Sequence, residues 1–206
     1  MKIVVYFNSL SPAGGIERVI SKHIKFLSKQ HEVILITKDS NKSFYPLPNE
    51  VIHEFLNINV KLDMSSQLKR IFKITTSFLE IIIKLRKKIN IHKPDIIYTA
   101  SPLCLLEVFF TGFNLNKTIV TEHSSFLSYN SIYKLIARKL YKNVGLLTVP
   151  TKDDSLIYSL EGIKNSYLPN PLSFYPEKPS KLDDKIVLNV GRFTDDKRHE
   201  LLINLW

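Results

Sequence analysis

The chain has 206 residues, with 29 Lys and Arg against 19 Asp and Glu, for a formal net charge of +10. At 44% hydrophobic and 23% charged residues it has the composition of a globular protein, able to bury roughly 70% of its extended-chain surface, which excludes intrinsic disorder and collagen-like repeats. The length suits one large domain, or one domain and part of another. The single cysteine, Cys104, makes no internal disulfide and no all-cysteine metal site. It lies in the apolar run Leu103 to Phe110 and reads as a buried, inert thiol in a reducing compartment.

The opening residues Met1 to Phe7 turn polar by Asn8, too short an apolar stretch for an export signal. Strands are predicted at Lys2 to Phe7, Val33 to Thr37, Val51 to Phe55, Asp95 to Thr99, Thr118 to Thr121 and Leu146 to Val149. They are short, β-branched and almost continuously apolar, as parallel strands covered on both faces are. Between the first two, Ile16, Val19, Ile20, His23, Ile24 and Leu27 recur at helical spacing, with Arg18, Lys22, Lys25 and Lys29 opposite. A second helix is expected from about Ser65 to Asn90, with Leu68, Ile71, Phe72, Thr75, Leu79, Ile82, Leu85 and Ile89 inward. Its charges, Lys73, Glu80, Lys84, Arg86, Lys87 and Lys88, rule out a membrane span. Strand and helix alternating in this way predict an α/β fold with a doubly wound parallel sheet.

After Leu168 the texture changes. Pro169, Pro171, Pro176 and Pro179 fall among charged and small residues, the composition of an interdomain linker over 169–184. Lys185 to Val190 then repeats the buried-strand pattern, and Lys197 to Trp206 opens a helix through Leu201, Leu202 and Leu205. The expected organisation is a domain over 1–168, the linker, and over 185–206 the first strand and helix of a second domain.

Three loops stand where such a sheet binds ligands, beyond the carboxyl ends of its strands. Gly14 and Gly15 open the first helix, where bare backbone and unpaired N–H groups suit a phosphate or a sugar hydroxyl. The spacing is not that of a dinucleotide fingerprint, and no acid closes the second strand before Asp39. On its own the pair is equally a tight strand-to-helix turn. The fifth strand runs into Glu122, His123, Ser124 and Ser125, an acid, an imidazole and two hydroxyls. His123 there suits a hydrogen bond to a sugar or proton transfer near neutral pH, or simply satisfies loop carbonyls. No metal-ligand spacing accompanies it. Gly191-Arg192 leads to Lys197, where a planar guanidinium and a point charge suit a diphosphate, or form a solvated basic turn.

Taken in order, the Gly-Gly-Ile-Glu-Arg loop, Thr121-Glu122-His123, Leu168-Pro169-Asn170-Pro171, and Val190-Gly191-Arg192 followed by Lys197 and Leu201-Leu202-Ile203 resemble GT-B glycosyltransferases of family 4. They are most similar to bacterial enzymes of lipopolysaccharide, capsule and exopolysaccharide synthesis. The resemblance covers essentially the whole chain. It implies a Rossmann-like N-terminal acceptor domain facing a C-terminal domain that binds a UDP- or GDP-linked sugar, transfer with retention, and no metal or other cofactor. By the same resemblance Gly14 and Gly15 approach the donor diphosphate or sugar, and His123 is the catalytic residue touching that sugar. Arg192 and Lys197 neutralise the leaving diphosphate, and Glu17, Arg18, Glu122, Ser124 and Asn170 belong to the acceptor side of the cleft. Fixed cations at the leaving group suit a reaction that builds an oxocarbenium-like centre and a departing diphosphate.

Two departures accompany the match. Family members carry a pair of donor-binding glutamates farther along the second domain, and the sequence stops before any such segment, so the chain alone is expected to be inactive. Arg198 stands where the family often has glycine.

Residues 61–88 hold eight basic and two acidic side chains, and Lys134, Arg138, Lys139 and Lys142 add a second basic helix. Such faces are solvated, or meet an anionic lipid surface, at about 1 kcal/mol per basic residue. The expected partners are a nucleotide sugar, a saccharide or lipid-linked saccharide acceptor and an anionic membrane surface, and the expected location is cytoplasmic, peripheral on the inner face of the plasma membrane. Nucleic acid is not expected, because no recognition module appears and Phe72, Phe78, Phe109 and Phe110 sit in apolar runs. A stand-alone carbohydrate-binding or regulatory domain and a Rossmann-type nucleotide-binding enzyme are the alternatives.

Overall fold

A computed structural model of the chain describes 1–58, 67–172, 174–175, 177–178, 186, 188–191 and 193–205, with 67–70 and 196 described in backbone only. Met1–Pro171 form one compact unit and Leu172–Trp206 a second. The first unit runs β1 (Lys2–Phe7), α1 (Gly15–Leu27), β2 (Glu32–Thr37), β3 (Ile52–Phe55), α2 (Gln67–His92), β4 (Ile96–Ala100), α3 (Pro102–Phe110), β5 (Thr118–Thr121), α4 (Ser131–Leu140), β6 (Leu146–Val149), α5 (Lys152–Leu160) and β7 (Ser166–Tyr167). All strand pairs are parallel, in the order β3-β2-β1-β4-β5-β6-β7.

Each central strand feeds two cores, because successive side chains point to opposite faces. Val4, Tyr6, Ile34, Ile36 and Ile97 pack with Ile81, Leu85 and Ile89 of α2, Leu105 and Val108 of α3, Ala137 and Leu140 of α4 and Tyr158 of α5. Ile3, Val5, Phe7, Val33, Leu35 and Tyr98 face the other way and meet Ile20 and Ile24 of α1. Four crossover helices thus share one face, and α1 lies on the other.

The six strands read from the sequence begin and end within one residue of where they lie. The short, exposed β7 has no apolar run to announce it. α3 is hidden in a continuous apolar stretch whose periodicity is uninformative, although Pro102 marks its first turn. Cys104 is fully buried, and burial pushes its thiol up to about 11.

The inward face expected for α2 needs correction. Its buried line is Ser77, Ile81, Leu85 and Ile89, whereas Ile71, Phe72 and Leu79 are exposed by 59%, 71% and 54%. The cause is length: 26 residues make about 39 Å of helix, against about 17 Å for a five-residue strand. Among the described side chains of α2, those buried begin at Ser77, and those of 71–76 are exposed.

In the second unit, Asp195–Lys197 form a 3-10 turn and α6 spans His199–Leu205. Of the strand expected at 185–190, residues 186 and 188–190 are in no strand, and Ile186, Leu188 and Val190 are exposed; 185 and 187 lie outside the described residues. Arg198 has φ +52°, in the left-handed region that favours glycine.

Gly145 enters β6 so close to the β5 side that an added Cβ would lie 2.3 Å from the Asn116 carbonyl oxygen. Its N–H donates to the carbonyls of Leu115 and Thr118. Because that neighbour is backbone, Gly145→Ala is expected to destabilise the fold by about 2 kcal/mol, read as a lowered midpoint in urea unfolding.

Candidate active site

From β1 the chain crosses to β2 on one side, while β4, hydrogen-bonded to β1 on the other, leads away to β5. The connections diverge there and leave a crevice at the carboxyl ends of the strands. A cavity of about 330 Å³ occupies it, with Asn8 and Ser9 after β1, Ser101 after β4, and Glu122, His123 and Ser124 after β5 on its walls. Ile16 and Glu17 of α1, Tyr129, Phe7, Pro12 and Ala100 complete it.

Gly14 caps α1 in extended conformation without a side-chain hydrogen bond, so the first N–H groups of the helix have no cap from that residue. A Cβ on Gly15 would meet nothing within 4 Å, and one on Gly14 would meet only the carboxylate end of Glu17, a side chain free to swing. Space is thus open at Gly15, whereas the Glu17 carboxylate lies over Gly14.

The Glu122 carboxyl is 2% exposed. It accepts hydrogen bonds from the hydroxyls of Tyr129 and Tyr141. Burial pushes it from 4.5 up to about 7, against these tyrosines and the N–H groups of His123 and Ser124, which pull it down. An acid held this way anchors the loop after β5. His123 sits above it with the opposite displacement: burial pulls the imidazole from 6.5 down to about 4, aided by nearby His23 and opposed by a hydrogen bond with Asn170. Its Nε2 is buried and has no hydrogen-bond partner, so the ring is neutral at physiological pH with one polar atom unsatisfied. His23 in turn places Nδ1 2.6 Å from the Tyr98 hydroxyl.

Of the residues expected at the site, Glu17, Glu122, His123 and Ser124 line the cavity; Asn170 hydrogen-bonds His123, and Gly14 and Gly15 open the helix that carries Glu17 without lining the cavity themselves. Arg18 is exposed on α1 and is not among the residues that line the cavity. Arg192 lies outside the described residues, and Lys197 ends the 3-10 turn of the second unit. Sequence reasoning missed Tyr129 and Tyr141, seven and nineteen residues beyond Glu122, since nothing in their spacing marks them as its donors. It also missed Ser101, whose φ of +72° and ψ of 153° are nearly confined to glycine. No sequence signal marked it: Pro102 disfavours a helical conformation at the residue before it but favours extended backbone of negative φ.

A parallel sheet of this order with a cleft at its switch point is the Rossmann-like architecture of GT-B glycosyltransferases. Among solved structures the chain resembles a sucrose-phosphate synthase from Thermosynechococcus elongatus (TM-score 0.61, 12% identity, 82% of this chain and 47% of that one). It also resembles the lipopolysaccharide outer core galactosyltransferase WaaB (TM-score 0.59, 17% identity, 87% of this chain and 50% of that one). The family model for Glycosyltransferase Family 4 matches 13–155, and the chain belongs to that family. An uncharacterized glycosyltransferase of Haemophilus influenzae is 27% identical over all of this chain and 57% of its own length. The GalNAc-alpha-(1->4)-GalNAc-alpha-(1->3)-diNAcBac-PP-undecaprenol alpha-1,4-N-acetyl-D-galactosaminyltransferase of Campylobacter jejuni is 26% identical over 96% of this chain and 54% of its own. The chain spans about half the length of the curated relatives it matches.

Two expected outcomes follow from the geometry. Glu122 holds its proton more tightly folded than unfolded, so its contribution to stability falls as pH rises from 4.5 to about 7. His123 holds its proton less tightly, so its contribution rises with pH between about 4 and 6.5. Each is worth roughly 3 kcal/mol across its window, and the two slopes oppose. Glu122→Gln should therefore leave stability rising with pH over that range and His123→Asn should leave it falling, measured by denaturant unfolding at successive pH values. Separately, Ser101→Gly should relieve backbone strain and raise stability by about 1 kcal/mol, detectable as a higher urea midpoint.

Proposed function

We propose that this chain is the acceptor-binding portion of a glycosyltransferase that moves a hexose from a UDP- or GDP-linked donor to a saccharide acceptor, with retention and without a metal ion. The acceptor we assign is a growing, lipid-linked bacterial surface glycan presented at the cytoplasmic face of the membrane. The observation that carries the reading is the cleft at the β1/β4 switch point. It sets a neutral imidazole with an unsatisfied nitrogen in the same cavity as Ile16 and Glu17 of α1, the helix that opens on Gly14 and Gly15. The Campylobacter relative, named for transfer to an undecaprenol-linked glycan, supports the choice of acceptor.

In this reading the His123 ring hydrogen-bonds the transferred sugar. Being neutral, it does not repel the positive charge that grows at the anomeric carbon, as an imidazolium would. Glu122 makes no contact with the reacting atoms; its carboxyl is consumed by Tyr129 and Tyr141 and holds the loop that carries His123. The Gly14-Gly15 turn offers backbone N–H groups to the diphosphate or sugar. Arg192 and Lys197 are assigned to the leaving diphosphate, whose departing charge fixed cations stabilise more than they stabilise the ground state.

A nucleotide-release assay on the enzyme containing these residues tests the assignment. With UDP- and GDP-hexoses and a polyprenyl-diphosphate saccharide, His123→Ala should lower kcat by about 10²-fold while acceptor affinity changes little. Proton NMR of the product should show the donor's own anomeric configuration. Tight binding of a nicotinamide cofactor with no nucleotide sugar consumed would overturn the reading in favour of a Rossmann dehydrogenase.

A further inference from the structure

Asn8 is the first residue beyond β1 and one wall of the cleft. Two contacts fix it from behind. Its backbone carbonyl accepts the Lys38 N–H at 3.0 Å, which ties it to the end of β2. Its side-chain Oδ1 accepts a hydrogen bond from the Cys104 thiol at 3.4 Å, in the first turn of α3. Cys104 is fully buried, and because burial pushes its thiol up to about 11 it keeps its proton and stays a donor. A carboxamide has one accepting oxygen and two N–H donors on its nitrogen. With the oxygen taken by the thiol, the donors remain: Nδ2 makes no hydrogen bond among the described residues, and Asn8 is exposed.

The other walls decide what such a donor can meet. Among the described residues, no lysine or arginine lines the cavity, whereas Glu17 and Glu122 do. Lys38, bonded through its backbone to Asn8, spends its ammonium on Glu107 at 2.6 Å. A phosphate brought into the cavity would therefore face acids with no fixed cation to offset them. The hydroxyls of Ser101 and Ser124 and the unsatisfied His123 Nε2 are groups that exchange hydrogen bonds with hydroxyls. A cavity of neutral hydrogen-bonding groups suits an uncharged polyol, such as one ring of a saccharide.

We propose that the Asn8 carboxamide binds sugar, donating from Nδ2 to a hydroxyl of an uncharged hexopyranose in this cavity, and that Cys104 is a positioning residue that holds the amide in that orientation. The inference rests on the sugar-transfer reading for its class of ligand. The ring can belong to the acceptor or to the donor, and the test separates the two. It is heteronuclear NMR of the 206-residue chain, in which the Asn8 side-chain NH2 signals are those lost in Asn8→Ala. Methyl α-D-galactopyranoside and methyl N-acetyl-α-D-galactosaminide stand for the acceptor, UDP-galactose with UDP as its control for the donor, and sodium pyrophosphate for the charged groups alone. The glycosides are expected to shift the Asn8 signals and pyrophosphate to leave them unmoved; a shift by UDP-galactose alone, without one by UDP, would assign the donor's ring instead. Followed at the Ser124 amide, Asn8→Ala should weaken binding about tenfold. Cys104→Ala should weaken it roughly threefold, and Cys104→Ser, which restores a donor, should recover it. Val108→Ala, on the same helix and equally buried, should lower the urea midpoint without moving the affinity, which separates positioning from lost packing. Asn8 signals unmoved by every sugar, a response to pyrophosphate, full affinity in Asn8→Ala, or a serine variant as weak as the alanine one would overturn the proposal. Nucleotide release is read separately: turnover with unmoved Asn8 signals leaves sugar transfer standing alone, and sugar binding through Asn8 without nucleotide release leaves the proposal standing alone.

Discussion

Every strand of the sheet runs in the same direction, and that constraint decides where chemistry can sit. Parallel pairing forces each connection to leave from the carboxyl edge and return to the amino edge, so the loops after β1, β4 and β5 collect at one rim. The amino edge receives tight entries such as Gly145, whose N–H closes onto the carbonyls of Leu115 and Thr118 and leaves no room for a side chain. Function and packing are thus separated by strand direction. Glu122, His123 and the Gly14-Gly15 turn, far apart in sequence, meet because of it.

Behind the rim, buried polar groups hold the loops in register. Glu107 of α3 accepts a hydrogen bond from the Tyr6 hydroxyl at 2.8 Å and pairs with Lys38 at 2.6 Å, tying the ends of β1 and β2 to one helix. Glu122 does the same for β5, joined to Tyr129 and Tyr141. A buried acid is costly unless its oxygens are satisfied, so each network has one low-energy arrangement and resists displacement of the loop it anchors. For His123 the consequence is chemical: a ring fixed in a desolvated position stays neutral and keeps its free nitrogen directed by the loop instead of by water.

The strands were legible because a buried parallel strand must be apolar on both faces, and Lys2–Phe7, Thr118–Thr121 and Leu146–Val149 could be read to the residue. The face of α2 was not, because periodicity records which residues are apolar and not how far the sheet extends beneath them. Phe72 satisfies a helical pattern and still lies beyond the core. The cleft was legible in outline from the order of its motifs, each ambiguous alone. Its supports were not, because Tyr129 and Tyr141 reach Glu122 through the turn and helix that follow β5. The conformation of Ser101 was not legible either, since the Pro102 that follows favours extended backbone of negative φ and Ser101 has φ +72°.

The places where local rules fail point to function more sharply than those where they hold. A serine in a conformation suited to glycine, a carboxyl raised to about 7 and an imidazole lowered to about 4 all lie on one cavity wall. Each costs stability, and such costs persist where the surrounding structure over-determines them. Here the two core clusters on either side of the sheet supply that support. The exposed apolar residues of α2 break a different rule, that of a solvated outer face, and do so at the same rim. Strain and desolvation within the cleft, and unburied apolar surface at the start of α2, fall at the same carboxyl edge, where parallel pairing gathers the loops.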